Sequence, residues 1–169
     1  MRHLKLPLIS FAILFCLVTG IGLLFPATVV VSRATNISAP YDTVYQYLNN
    51  VNHWKNWMAG ADSTTITLNS VKQEGAGAAI TIGTGHVQIT KTTRDSIYTI
   101  WSSQQGHTQN SAFMLLPDDV HHQTVLQWYF KEEVGWYPWE RFGTMANDKI
   151  LGPIMEQSLD KLKRLLEKY

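Results

Sequence analysis

From residue 63 to residue 134, apolar and polar positions alternate with a period of two, the spacing of strands with one covered face. Six runs carry the alternation: TTITLNSV, AAITIG, HVQITKTT, SIYTIWSS, QNSAFMLL and TVLQWYFKEEV. They are parted by EGAG, GTG, RD, QQGH and PDDVHH. Spacers this short and this rich in turn-forming residues join successive antiparallel strands. In the last run Leu126, Trp128 and Phe130 share one face, while Gln127, Tyr129 and Lys131 share the other. The pattern before this region differs. ATVVVSRATNIS predicts an opening strand over residues 27–37, and SAPYDTVYQYLNN a helix with Ser38 placed to cap it and Pro40 suited to its first turn. Val44 and Leu48 then fall on one face. A second short helical piece is predicted over residues 51–58, where Trp54 and Trp57 are three apart and share a face, with Gly60 closing it. After the strands, Leu151, Met155, Leu159, Leu162, Leu166 and Tyr169 recur at spacings of three or four, with Lys161, Lys163, Arg164, Glu167 and Lys168 on other faces. This is an amphipathic helix. Gly152-Pro153 predicts a kink or restart in it. The expected class is α+β: about seven antiparallel strands, two short helices after the first, and a long closing helix across the sheet.

The N-terminal pattern has no period at all. LPLISFAILFCLVTGIGLLF, residues 6–25, holds no charged residue and is long enough to cross a hydrocarbon core as a helix. Arg2 and Lys5 precede it and the next basic residue is Arg33, so the positive-inside rule places the N-terminus in the cytoplasm and the rest outside. A cleaved signal peptide would want a small residue where Phe25 stands before Pro26 and Ala27. A lipid anchor on Cys16 would want one where Phe15 stands. The reading is an uncleaved single-pass anchor, residues 1–26, followed by one domain, residues 27–169, extracytoplasmic and periplasmic if the host has two membranes.

Composition narrows the chemistry. A formal net charge of +1 over 169 residues lacks the basic face that nucleic acid requires, so no nucleic-acid partner is expected. The single cysteine excludes an internal disulfide framework. His121-His122 sits in a polar turn, and adjacent strand residues point apart, so no metal site is expected. His53, His86 and His107 are isolated, and Glu132-Glu133 reads as a solvated pair after the last strand. Ser102-Ser103 lacks the strand–turn–helix setting of an exposed nucleophile. GAGAAITIGTG has glycines but no following helix to cradle a phosphate. No catalytic set and no cofactor are expected. The rings are the informative feature: six Trp, seven Tyr and six Phe.

Residues 28–169 resemble the START-like, or SRPBCC, superfamily with the helix-grip fold, in its polyketide cyclase/dehydrase-like branch. The opening strand into ISAPYDTVYQYLNNVNHWKNW carries the resemblance at one end. TVLQWYF followed by GWYPWERFGTMANDKILGPIMEQSLDKLKRLLEK carries it at the other. The resemblance implies a cavity between sheet and long helix, closed at one end by the short helix that holds Trp54 and Trp57. Candidate cavity residues are Trp54, Trp57, Trp101, Phe113, Trp128, Phe130 and Met145. Pattern alone does not separate such a cavity from a packed core. Fold is also a weak guide to activity. Three readings follow: a membrane-tethered binder of a hydrophobic small molecule or lipid, which the missing acid–base set favours; a cyclase/dehydrase-type enzyme; and a protein-interaction module at the membrane, which an exposed Trp136 and Trp139 would favour.

Overall fold

The computed structural model describes residues 2–24, 26–58, 66–68, 70–104 and 106–168, with the side chains of 2–4, 6 and 142–147 outside the description. Helix α1 spans Arg2–Gly22. Strand β1, Thr28–Ile37, leads into α2, Tyr41–Asn49, and a 3₁₀ helix, Val51–Asn56. Strands β2 (Ile66–Leu68), β3 (Ala79–Ile82), β4 (Gly85–Thr92), β5 (Ser96–Ser102), β6 (Thr108–Asp118) and β7 (Gln123–Glu133) follow, and α3, Pro138–Leu166, closes the chain. The seven strands form one antiparallel sheet in the order β1-β7-β6-β5-β4-β3-β2, so consecutive hairpins run from β2 to β7 and only β1 arrives from elsewhere. The expected helix-grip architecture is what the chain adopts.

Alternation sets the inner face of the sheet. Ile80 of β3, Val87 and Ile89 of β4, Ile97 of β5, Phe113 and Leu115 of β6, and Leu126, Trp128 and Phe130 of β7 are all buried. Across from them α3 buries Met155, Leu159, Leu162 and Leu166, the spacing that makes one helical stripe. Val44 and Leu48 of α2 and Val51 of the 3₁₀ helix close the end of this core.

Two local expectations are corrected. Ser38 does not cap α2: Pro40 occupies the N-cap position with no side-chain cap, while the Ser38 N–H donates to Glu167 Oε1 at 3.0 Å. Nor does α3 restart at Gly152-Pro153, since one helix runs through it. Arg33, on the inner face of β1, gives the reason. Its guanidinium pairs with Asp148 at 3.0 Å and Glu156 at 2.6 Å, one on each side of the Gly-Pro step. Its tip lies where a Cβ at Gly152 would be, so a larger residue there would make the guanidinium shift. Gly60 and Tyr169 lie outside the described residues.

The α1 helix meets the domain at the start of α3, where a Cβ on Gly22 would touch Pro138 at 3.4 Å. Its Leu8, Phe11, Leu14 and Leu17 side chains are exposed. Among the described residues no helix is long and apolar enough to cross a membrane.

Candidate functional site

The rings singled out by the sequence meet in one cluster, and it divides into a packed part and a cavity wall. In the packed part Trp54, Trp57 and Phe113 have no exposed surface. Trp54 lies 6.0 Å from Trp57 and 5.8 Å from Phe113, and Trp57 lies 6.3 Å from Trp128, all edge to face. Such geometry matches the negative ring face to a positive edge. The indole N–H groups are held from below: Trp54 donates to Leu48 O at 2.9 Å, Trp128 to Ser111 Oγ at 2.8 Å and Trp101 to Thr99 Oγ1 at 3.0 Å. Trp57 Nε1 is buried without a hydrogen-bond partner among the described residues.

The cavity wall uses the other rings. A space of about 160 Å³ opens between Trp101, Trp128 and Phe130 of the sheet and Leu151, Ile154 and Met155 of α3, with Met58, Ile82 and Gln109 completing it. Trp101, Trp128 and Phe130 therefore face the cavity, whereas Trp54, Trp57 and Phe113 stand behind it. Met145 lies within α3, and its side chain is outside the described residues. The contributions of Met58, Ile82, Leu151, Ile154 and Met155 were not singled out by the sequence, because aliphatic cavity lining and aliphatic core carry the same pattern.

One end of this apolar space is polar. Trp101 and Gln109 also belong to the wall of a more open cleft of about 310 Å³ formed with Gly85, Ser102, Ser103 and His107. Trp101 pairs with Gln109 across β5 and β6, so the two residues form the partition between the cavity and the cleft. At the partition Gln109 Nε2 donates to Glu132 Oε2 at 3.3 Å, and His107 Nε2 lies 3.3 Å from Glu132 Oε1. The solvated reading of Glu132 is thus corrected. Strand β7 continues to Glu133, and the alternation Leu126, Trp128, Phe130 carries on to Glu132, whose side chain is 16% exposed against 78% for Glu133. Continuing the period of two by one step was the signal that finds it.

The other histidines stand elsewhere. His121 Nδ1 pairs with Asp118 at 2.8 Å in the β6–β7 turn, which holds the Asp118 carboxyl below its ordinary range. His53 stacks on Tyr47, ring centroids 4.4 Å apart. Among the described residues no three His, Cys, Asp or Glu side chains gather as metal ligands.

A curved antiparallel sheet gripping one long helix, with a ring-lined space between them, defines a helix-grip domain of the START-like class. The sequence profile of the family described as polyketide cyclase/dehydrase and lipid transport matches residues 28–167, and the chain belongs to that family. Solved structures share the fold. A protein from Nitrosospira multiformis is 14% identical with a TM-score of 0.62, over 82% of this chain and 96% of that one. A START superfamily protein from Mycobacterium smegmatis is 16% identical with a TM-score of 0.61, over 82% and 97%. CalU16 from Micromonospora echinospora is 14% identical with a TM-score of 0.55, over 82% and 73%. At such identities the likeness is one of fold. Among curated proteins none matches in sequence.

Proposed function

We propose that this chain is a membrane-tethered binding protein whose cavity takes an apolar ring or short chain bearing a hydrogen-bonding end. The observation that carries the reading is the partition at Trp101 and Gln109, where an apolar space of about 160 Å³ adjoins the cleft that His107 lines, with Gln109 donating to the Glu132 carboxylate behind it. Pockets for small molecules are mostly apolar with a few placed polar groups, and a space of this size suits one aromatic ring. The apolar body gains about 25 cal/mol per Å² removed from water, less the cost of ordering. The polar end fixes orientation at Glu132. Larger ligands require the α3 side of the wall, Leu151 and Ile154, to give way.

The test uses p-cresol and toluene, which differ by one hydroxyl, titrated into the full chain in lipid nanodiscs and read by tryptophan emission. The expected result is binding of both, with p-cresol preferred about tenfold, as one charge-assisted hydrogen bond allows. Glu132→Ala removes the preference and leaves toluene binding in place. No emission change and no rise in melting temperature with either probe overturns the reading.

A second reading has its own support. Glu132 lies 3.3 Å from His107, which lines the cleft beside the apolar space, and such a pair is what a cyclase or dehydrase would use to move protons. Turnover of an added polyketone that is lost in His107→Ala would establish it. The tether itself is the uncharged run 6–25 with Arg2 and Lys5 before it, with the domain outside the cytoplasm. A reporter fused after Tyr169 should be active only there, and a cytoplasmic signal would refute the topology.

A further inference from the structure

The knuckle between β7 and α3 holds three exposed rings in a row. Trp136, Tyr137 and Trp139 are 51%, 39% and 61% exposed, yet they stack on one another with centroids 4.3 Å and 4.8 Å apart. The knuckle is fixed from behind. Glu140 Oε2 accepts the Gly135 N–H at 2.9 Å and Arg141 Nε donates to Gly135 O at 2.8 Å, and Pro138 starts the helix. A Cβ at Gly135 would sit 2.5 Å from that carboxylate, so a larger residue there would push the Glu140 side chain aside. Beside the rings runs a groove of about 370 Å³ lined by Phe11, Leu14, Phe15 and Val18 of α1 with Pro138 and Trp139. Not one of these side chains carries a hydrogen-bonding group except the Trp139 indole.

We infer that the Trp136–Tyr137–Trp139 ladder is a bilayer-docking surface that seats the domain on the outer leaflet beside its own anchor. This rests on residues 6–25 being a membrane span. Pro138 lies against Gly22, the last residue of α1, so the ladder begins where the apolar helix ends. The end of an apolar span is where interfacial aromatic groups lie. Trp and Tyr are also the side chains that prefer this boundary, because each joins an apolar body to a polar tip. The groove continues along α1 with an apolar lining that an acyl chain would fill. Exposed patches of this kind mark interaction sites; the continuity with an uncharged span selects lipid as the occupant.

The run 6–25 contains no tryptophan, so quenching by lipid reports the domain alone. The full chain is reconstituted in dioleoylphosphatidylcholine vesicles containing phosphatidylcholine brominated at a shallow acyl position. Vesicle flotation is measured in parallel. The expected result is a floating chain with part of its emission quenched, and at least a twofold drop in the quenched part for Trp136→Phe with Trp139→Phe. The single variants should give partial drops, and the emission of the four interior indoles should persist. A floating chain whose quenching is absent, or is the same in the double variant, overturns the ladder inference while sparing the anchor and leaves the rings to a protein partner. A chain that does not float overturns both.

Discussion

Trp128 and Trp139 show what position does to one side chain. Trp128 is 1% exposed, sits among four other rings and has its N–H satisfied by Ser111. Trp139 is 61% exposed and stacks on Tyr137. The interior cluster is built by a sheet whose alternation brings Trp101, Phe113, Trp128 and Phe130 to one face, with the 3₁₀ helix adding Trp54 and its C-cap residue Trp57. The ladder is built by a loop braced with glycine and proline, and has no such second layer. Burial makes the first group a source of stability and of cavity shape. Exposure makes the second a surface whose apolar area has been left for something outside the domain.

The largest effect should come from the interior. Trp128→Ala removes a fully buried ring and leaves Ser111 Oγ without its donor, so a loss of about 3–5 kcal/mol is expected. Urea unfolding of the full chain in detergent micelles, followed by far-ultraviolet circular dichroism, measures it. A loss below 1 kcal/mol would mean that the cluster is loosely packed and the comparison with the ladder is false.

The helix that covers the cluster should respond next. Leu162 has no exposed surface, and Leu162→Ala should cost roughly 2–5 kcal/mol. Lys163, one step round the helix, makes a 3.8 Å ion pair with Glu167, and its replacement by alanine should cost less than about 0.5 kcal/mol. Similar small losses from both would place the buried stripe of α3 on the wrong face.

These contrasts also show how far the residues themselves could be read. The period of two located the strands of the sheet, and the spacing of Met155, Leu159, Leu162 and Leu166 gave the buried stripe of α3, because both signals come from backbone geometry that tertiary packing does not alter. Depth along a strand is another matter. Phe113 and Phe130 share an inner face, yet one lies in packed core and the other on the cavity wall, since alternation reports the side of the sheet and not what lies opposite. The Gly152-Pro153 step was read as a kink or restart, and the restart did not follow because the local rule cannot include Arg33, 119 residues earlier, pairing with Asp148 and Glu156 across it. The polar set of His107, Gln109 and Glu132 was scattered over two strands and a turn, and only the β5–β6–β7 register brings it together.

A finer contrast lies within the cluster. Trp54 donates its N–H to Leu48 O, whereas Trp57 Nε1 has no partner among the described residues. Substitution by phenylalanine removes comparable ring volume at each site. Only at Trp54 does it also remove a hydrogen bond and leave a buried carbonyl lone pair unused. Trp54→Phe should therefore cost about 1 kcal/mol more than Trp57→Phe. Equal costs in the same unfolding measurement would mean that Trp57 gains a hydrogen bond of its own in solution.

The smallest effect is expected at the ladder, and its smallness is the informative part. Trp139→Ala removes a ring that is mostly solvated, stacks on Tyr137 and lines the groove along the apolar edge of α1. Truncation of such a residue usually changes stability by no more than about 0.5 kcal/mol. The measurement is the urea midpoint of Trp139→Ala beside that of Trp128→Ala, in the same micelles and with the same readout. A loss of 2 kcal/mol or more would show that the ring is structural, docking α1 onto α3 through Phe11, Leu14, Phe15 and Val18. The ladder would then belong with the interior cluster, and its apolar surface would no longer be available to a bilayer. A near-zero change leaves the ring without a role in holding the fold, which is the condition for its serving as a contact surface.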